Sequence, residues 1–494
     1  MNLMNRVKEG IRTWLDIQEA QGGSIVIREA FGYEADVLRN RLWYRGDPAE
    51  LHQFFGQVDD KIGNASFWCS ASTMGVDFRK IHTGIPSLVT DVLASIVARD
   101  FNGIEINNTE ADKIWESIEK ENSFRKILEK TVLNLLVDGD GAFKINYDPD
   151  ISEYPLIEFY SGIDVDFTRR RGRVTEITFL HRRKYNKQEF IGREIYSENG
   201  VCYEVYDSRG KKRELSEFEN TDVFSDFTFV EASGKGFMMA VPVFFGSSSK
   251  WDGRGRSLFD TKTGAFDSLD ECWSQWVDAL RDGRTKTYIP ENMVPRHPKT
   301  GNLLRPNTFD GRFLATSQDM SQNAKNQIET VSGEIRHDSL LATYMTSLDL
   351  CLQGIISPST LGVDVKKLDN AEAQREKEKV TLYTRNKIIE AITEPIEALA
   401  IAVLQTYDTI RGRSPVEYEA TATFGEYANP SFEAVVETVG KAKMQGIMSN
   451  ELVVEELYGD TLTDDEKAAE VERLNMRDGL SAKEEPGVSL DVEM

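Results

Sequence analysis

The chain is short of the residues on which most small sites are built. It has four cysteines, Cys69, Cys202, Cys272 and Cys351, and all lie far apart in the sequence. A disulfide framework belongs to small secreted chains. In 494 residues these four read instead as small buried hydrophobes of a reduced, cytosolic chain. Histidine is nearly as scarce. His52, His82, His181, His297 and His337 are the five, and no two stand at His-x-His or His-x-x-x-His spacing, which argues against a zinc site. No run of about 18 apolar residues occurs, so no membrane span is expected. The segment Met1 to Gly10 carries charge but no apolar stretch of the secretory kind, so no such signal is expected.

Catalytic motifs are missing too. There is no Gly-x-x-x-x-Gly-Lys-[Ser/Thr] phosphate loop, and Ser233-Gly-Lys-Gly236 lacks the upstream glycine, reading as a turn between strands. No Gly-x-Ser-x-Gly elbow is present. The stretch Asp252-Gly-Arg-Gly-Arg-Ser257 is Gly-rich and basic; it could touch phosphates, but a flexible connector is the better reading. Asp138-Gly-Asp140-Gly141 looks like the opening of a calcium loop, yet Ala142 and Phe143 stand where a further oxygen ligand and a glycine are needed. It reads as a turn. With 82 Asp and Glu, no acid and base pair stands out. The expectation is a chain with no enzymatic activity, no cofactor and no metal.

Charge says more. The formal net charge is −23. A free-standing DNA binder carries a basic surface to neutralise phosphates, so ordinary DNA binding is not expected. An acidic surface repels DNA, which is useful where DNA must pass without sticking. Hydrophobic residues make up 40% and aromatics 10%, enough to bury sizeable cores, and the length suits about three domains.

The apolar pattern changes along the chain. Up to about residue 140 it is mainly helical. Pro86 suits a helix start, Leu88, Val89, Val92, Leu93, Ile96 and Val97 form a stripe, and Asn122 is a candidate N-cap for a helix reaching Val137. Residues 142–147, 156–160, 174–180, 188–196 and 201–206 are short β-branched and aromatic runs, which predict antiparallel strands, with Asn199-Gly200 a hairpin turn. Helices then return. Phe266, Leu269, Trp273, Trp276 and Leu280 share one face. A Pro- and Gly-rich interval follows, then a helix near 335–356 with Leu341, Tyr344, Leu348, Leu352 and Ile355 on a stripe. After Ser357-Pro358 comes a loop, then one long helix from about Asn370 to Thr409 with Pro395 inside it. The rest reads as acidic helices, with Ser449 and Thr463 as caps, and a disordered acidic tail at 479–494.

Several stretches resemble the portal proteins of long-tailed double-stranded DNA phages, of the type found in phages of Gram-positive hosts. These are Trp43-Tyr-Arg-Gly-Asp47 followed by Leu51; Thr83-Gly-Ile-Pro-Ser-Leu-Val-Thr90, with Thr83 or Gly84 where the family has Asn; and Gly141-Ala-Phe-Lys-Ile-Asn-Tyr-Asp148. Gly246-Ser-Ser-Ser249 through Asp267-Ser-Leu-Asp270 and Gln445-Gly-Ile-Met-Ser-Asn-Glu451 complete the set. Together with the order of segments they cover nearly the whole chain. The resemblance implies an α+β portal fold with long stem helices, a β-rich wing, a small α/β clip and a helical crown. On this chain that gives an N-terminal segment 1–24, wing 25–256, stem helices 257–281 and 334–356 around a clip 282–333, tunnel loop 357–369, long kinked helix 370–404 and crown 405–478. It further implies a homo-oligomeric ring of twelve subunits at one capsid vertex, assembled in the host cytoplasm. Its implied partners are double-stranded DNA, the large terminase, the head–tail adaptor, and the scaffold and major capsid proteins, with no membrane.

Under that resemblance, candidate residues fall into four groups. Trp273, Trp276, Leu280, Tyr344 and Leu348 would pack subunits together in the stem, although the two tryptophans serve equally well inside one chain. Arg284, Lys286, Arg296, Lys299 and Arg305 form a less acidic patch that could dock terminase or adaptor; a solvated loop is the other reading. Lys366 and Lys367, with Asp364, would line the channel and brush the DNA backbone, unless they belong to an ordinary exposed loop. Pro395 is a candidate hinge. The rival readings are another virion or scaffold protein, such as a minor capsid component, and an intracellular enzyme with an unrecognised site.

Overall fold

The computed structural model describes residues 31–62, 66–70, 79–214, 217–218, 224, 236–290, 293–294, 296–301, 313–316, 328–333, 335–362, 371–425, 432–458 and 464–478. Helices and sheets share one chain, as expected of an α+β fold. It divides into two compact units. One holds residues 1–98 and 104–421, the other residues 99–103 and 422–494.

The first unit opens with helices α1 (Tyr33–Arg45), α2 (Pro48–Ile62) and α3 (Ile85–Asp100). Val89, Leu93 and Val97 of the α3 stripe are buried, while Leu88 is exposed. Strand β1 (Phe101–Ile106) follows, then α4 (Thr109–Asn122) and α5 (Phe124–Asp138). Asn108 caps α4, accepting from the Glu110 and Ala111 amides at 2.9 and 3.3 Å. Asn122, expected to cap α5, does something else. It ends α4, and its side chain bonds the carbonyls of Ile118 and Pro155 and the amide of Ile157. Ser123, with φ 50°, makes the elbow between the two helices.

Strands β2 (Asp140–Asn146), β3 (Leu156–Ser161) and β9 (Ala240–Phe244) form an antiparallel sheet with β2 in the middle. A second sheet runs β4 (Val165–Arg170), β5 (Arg173–Tyr185), β6 (Gln188–Ser197), β7 (Gly200–Asp207) and β8 (Lys212–Arg213), each antiparallel to the next. Short turns impose that order; a β6–β7 hairpin forms where Asn199-Gly200 predicts one, but its two loop residues are Glu198 and Asn199, with Gly200 (φ 125°) already paired to Ser197. Strands β1, β4 and β9 were not legible in the sequence. Gly103 in β1 and Pro242 in β9 break strict alternation, and β4 alternates only over Val165–Thr168 before its arginines.

Helix α6 (Thr263–Asp282) comes next, and α7 (His337–Leu352) packs along it. Between them β10 (Lys286–Pro290) pairs in parallel with β11 (Phe313–Thr316) and antiparallel with β12 (Glu329–Val331). Helix α8 (Ala371–Ile410) is 40 residues long and contains Pro395. Ile388, Ile392, Ile396, Leu399 and Val403 form its buried stripe, and it packs on β9 and β2. It runs five residues past 405, where the C-terminal region was expected to begin.

The second unit takes in the start of β1 and most of β13 (Ala420–Phe424), which pair, with Phe101 on Phe424 at 5.5 Å. Helices α9 (Phe432–Met444), α10 (Asn450–Tyr458) and α11 (Asp464–Arg477) follow. Ser449 caps α10 through the Leu452 amide. Thr463 and the tail after 478 lie outside the described residues.

Candidate functional site

Helices α6 and α7 form an antiparallel hairpin. At one end, Lys262 donates to the carbonyls of Leu350 and Gln353, both at 2.8 Å, closing the C-terminus of α7 with a cation. Midway, Cys272 and Ser347 meet at 3.4 Å. At the other end Gly283 abuts Ile335 and Gly333, and a Cβ on Gly283 would push the Ile335 side chain aside. The β10–β12 sheet sits at that end, because β10 leaves α6 there and β12 returns just before α7.

The expected α6 stripe divides into three parts. Phe266 and Leu269 are buried in the body of the unit, with Phe266 against Trp43 and Phe259 at 6.0 and 5.5 Å. Trp273 and Trp276 are half-buried and close on Tyr344, at 5.5 and 6.0 Å. Leu348 is buried beside them. Leu280 is 48% exposed, as are Leu341 (43%) and Leu350 (50%) on α7, so the hairpin keeps apolar side chains in solvent. The hairpin is also acidic. Seven Asp and Glu in its two helices stand against one arginine, Arg281.

The base of α6 is held rigidly. Asp270 accepts from His82 Nδ1 at 2.7 Å and from the Thr83 amide and hydroxyl at 2.9 Å. Asp267 accepts from the Ser66 hydroxyl and the Phe67 amide at 2.6 and 2.7 Å, and burial pushes its carboxyl above the usual range. The segment leading into α6 is no flexible connector. Arg254 stacks 4.2 Å over Tyr33 and pairs with Asp140 and Asp166 at 3.3 and 3.1 Å. The Gly255 amide donates to Asp140 at 2.8 Å, and Ser257 bonds the carbonyls of Leu136 and Val137. Asp138, the other carboxylate of the Asp-Gly-Asp-Gly turn, is gripped by Arg41 at 2.7 Å and by Ser161. Both carboxyls are raised by burial against the pull of those arginines. The turn therefore joins helix to strand with its charges answered by guanidinium groups. Among the described residues no group of three or more His, Cys, Asp or Glu is placed to hold a metal ion.

The remaining expected site residues scatter. Arg284 and Lys299 are exposed, Lys286 pairs with Asp282 at 2.8 Å, and Arg296 reaches the Gly301 carbonyl at 3.3 Å. Arg305 lies outside the described residues, as do Asp364, Lys366 and Lys367. The described start of that loop is tied to α8, with the Ser357 amide donating to Thr381 at 2.9 Å. Pro395 is half-buried in an unbroken helix. Cys202 is exposed, unlike the buried Cys69 and Cys351; burial pushes the Cys351 thiol up to about 12. No helix among the described residues is long and apolar enough to cross a membrane.

Sequence reasoning passed over one cluster, the run Arg169-Arg170-Arg171-Gly172-Arg173. It forms the β4–β5 turn, and four arginines in five residues were signal enough to find it.

No family model and no curated protein matches the chain. Among solved structures, one described as the neck of a native GTA particle computed with C12 symmetry has a TM-score of 0.38 at 11% identity. It covers 79% of this chain and 90% of that one. Another, the neck of an empty GTA particle computed with C6 symmetry, has a TM-score of 0.39 at 12% identity, covering 79% and 91%. Likeness at this level transfers neither assembly nor activity.

Proposed function

We propose that the chain is a portal subunit: twelve copies form a ring whose channel conducts double-stranded DNA into and out of a phage-type particle. The observation that carries this reading is the antiparallel α6/α7 hairpin with a small sheet at its far end, followed by a loop and a 40-residue proline-containing helix. That is the order of stem, clip, stem, tunnel loop and long helix that the sequence resemblance implies. In a ring, the exposed Leu280, Leu341 and Leu350 bury against neighbouring copies, and the acidic hairpin gives DNA a wall it does not adhere to. The sheet between the stem helices would dock terminase during packaging and the adaptor afterwards, through Arg284, Lys286, Arg296, Lys299 and Arg305. Lys366, Lys367 and Asp364 would face the passing DNA, and Pro395 would let α8 flex. The chain itself catalyses nothing on this reading; ATP hydrolysis falls to the terminase.

Negative-stain electron microscopy of the purified chain, with mass photometry alongside, tests it. Closed rings of twelve- or thirteen-fold symmetry around a channel are expected. A chain that stays monomeric or dimeric at micromolar concentration overturns the proposal. The hinge has its own test, since P395A should alter the length of DNA packaged per particle.

A further inference from the structure

The β4–β8 sheet departs from the acidity of the chain. Between Val165 and Arg213 stand 13 Lys and Arg against seven Asp and Glu, within a chain of net charge −23. Its charge peaks at the β4–β5 tip. Arg171 and Gly172 make a two-residue turn with φ 51° and 80°, the signature of a primed hairpin turn. Arg170 and Arg173 face each other across it as the last strand pair.

Two choices at this tip are locally unfavourable. An arginine occupies a positive-φ position that favours Asn or Gly, and two like charges sit directly opposite on neighbouring strands. Local rules are broken in this way mainly where function asks for it. The tip is nonetheless firmly placed. Arg169 bonds the Gly172 carbonyl at 3.1 Å and the Gly253 carbonyl at 2.9 Å, with its guanidinium 4.6 Å over the Phe244 ring. Arg170, Arg171 and Arg173 are exposed, and none joins an ion pair among the described residues.

We infer that this arginine tip binds the phosphodiester backbone of DNA. The guanidinium fork matches phosphate oxygens in pairs, and one turn carries three such forks close together. A protein partner is a poorer fit. Docking surfaces between proteins are built on an apolar centre, and no exposed large hydrophobic residue occurs among the described residues between 152 and 279. The contact is blind to sequence, because it reads backbone alone. It does not depend on ring formation.

The test is fluorescence anisotropy of the full-length chain with labelled random-sequence duplex DNA across a salt series. The variant is R170T/R171N/R173T. Threonine suits a strand and asparagine suits the turn, so its thermal midpoint should equal or exceed that of the parent. Its affinity at low salt should fall about tenfold or more, and its salt slope should flatten by about 2–3, at roughly 0.9 per phosphate lost. R171N alone should give an intermediate loss. K184T/K187N, at the opposite end of β5, should bind like the parent. The inference is overturned if the parent does not bind at low salt, if the triple variant binds equally well, or if K184T/K187N loses as much. It is likewise overturned if polyglutamate displaces the DNA at matched charge, which would assign the tip to acidic polypeptides. Ring assembly is read separately by mass photometry, so failure there leaves this result standing.

Discussion

Gly255 lies so close to Gly139 that a Cβ on it would collide with the Gly139 carbonyl, while its own amide donates to Asp140 at 2.8 Å. One position thus needs both the absence of a side chain and the presence of an N–H. The connector into α6 is pinned there. Alanine at Gly255 should push the connector off the turn and destabilise the chain by about 1–3 kcal/mol, the usual result of overpacking a close contact. Differential scanning fluorimetry reads it as a lower midpoint. G255A with an unchanged midpoint would show that the connector is free after all.

Glu194 is 2% exposed and bridges Lys144 at 3.2 Å and His181 at 3.4 Å. Burial alone would raise its carboxyl. The His181 hydrogen bond and the Lys144 charge outweigh that and hold it below the usual 4.5. A depressed carboxyl stabilises the fold above its unfolded value and loses that contribution as pH falls through the folded one. Asp138, Asp140, Asp260 and Asp267 are shifted upward and act in the opposite sense, so the parent's own pH curve mixes the two. The difference from E194Q isolates Glu194. At neutral pH, E194Q should cost about 3–5 kcal/mol, since Lys144 keeps only the more exposed Glu158. The gap in thermal midpoint should narrow as pH falls below about 4.5. A gap that stays constant from neutral to acid pH would refute the assignment.

Leu280 and Leu341 stand in solvent on the α6/α7 hairpin. A charge there is nearly neutral for an isolated chain, within about 0.5 kcal/mol. In a ring it is repeated at every subunit contact. L280D/L341D should therefore fail to close rings by mass photometry while remaining folded as a monomer, with a midpoint lower only by what assembly contributes. Rings that form normally from this variant would place the subunit contacts elsewhere.

Periodicity carried the helices well. The stripes of α3, α6 and α7 are strong because each helix buries one face against a neighbour, and Asn199-Gly200 announced a hairpin although the glycine sits in the first strand pair rather than in the turn. What was hidden depends on partners distant in sequence. Asp140 and Arg254 are 114 residues apart, and nothing near either announces the pair. The Gly-rich stretch at Asp252 to Ser257 looks mobile in isolation and is tightly packed only because Asp140 and Tyr33 close on it. Asn122 looks like a cap by spacing, but the elbow at Ser123 moved the helix start beyond it. The short strands β10–β12 have too few residues to show a period of two.

Trp273, Trp276 and Tyr344 brace the hairpin at mid-length, beyond the point where Phe266 and Leu269 anchor α6 in the core. Their loss should act on one side only. W273A removes a half-buried ring, so its cost should lie below the 3–5 kcal/mol of a fully buried one, at about 1–3 kcal/mol. The base of α6 remains fixed by Asp267 and Asp270, while the far end loses its brace. Hydrogen exchange with mass spectrometry should then show faster exchange in Lys286–Pro290 and Glu329–Val331, with the β5–β6 ladder unchanged. Equal loosening in both places would mean that W273A unfolds the unit as a whole. Unchanged protection at Lys286–Pro290 would mean that the sheet at the far end is held by its own contacts, independent of the aromatic brace.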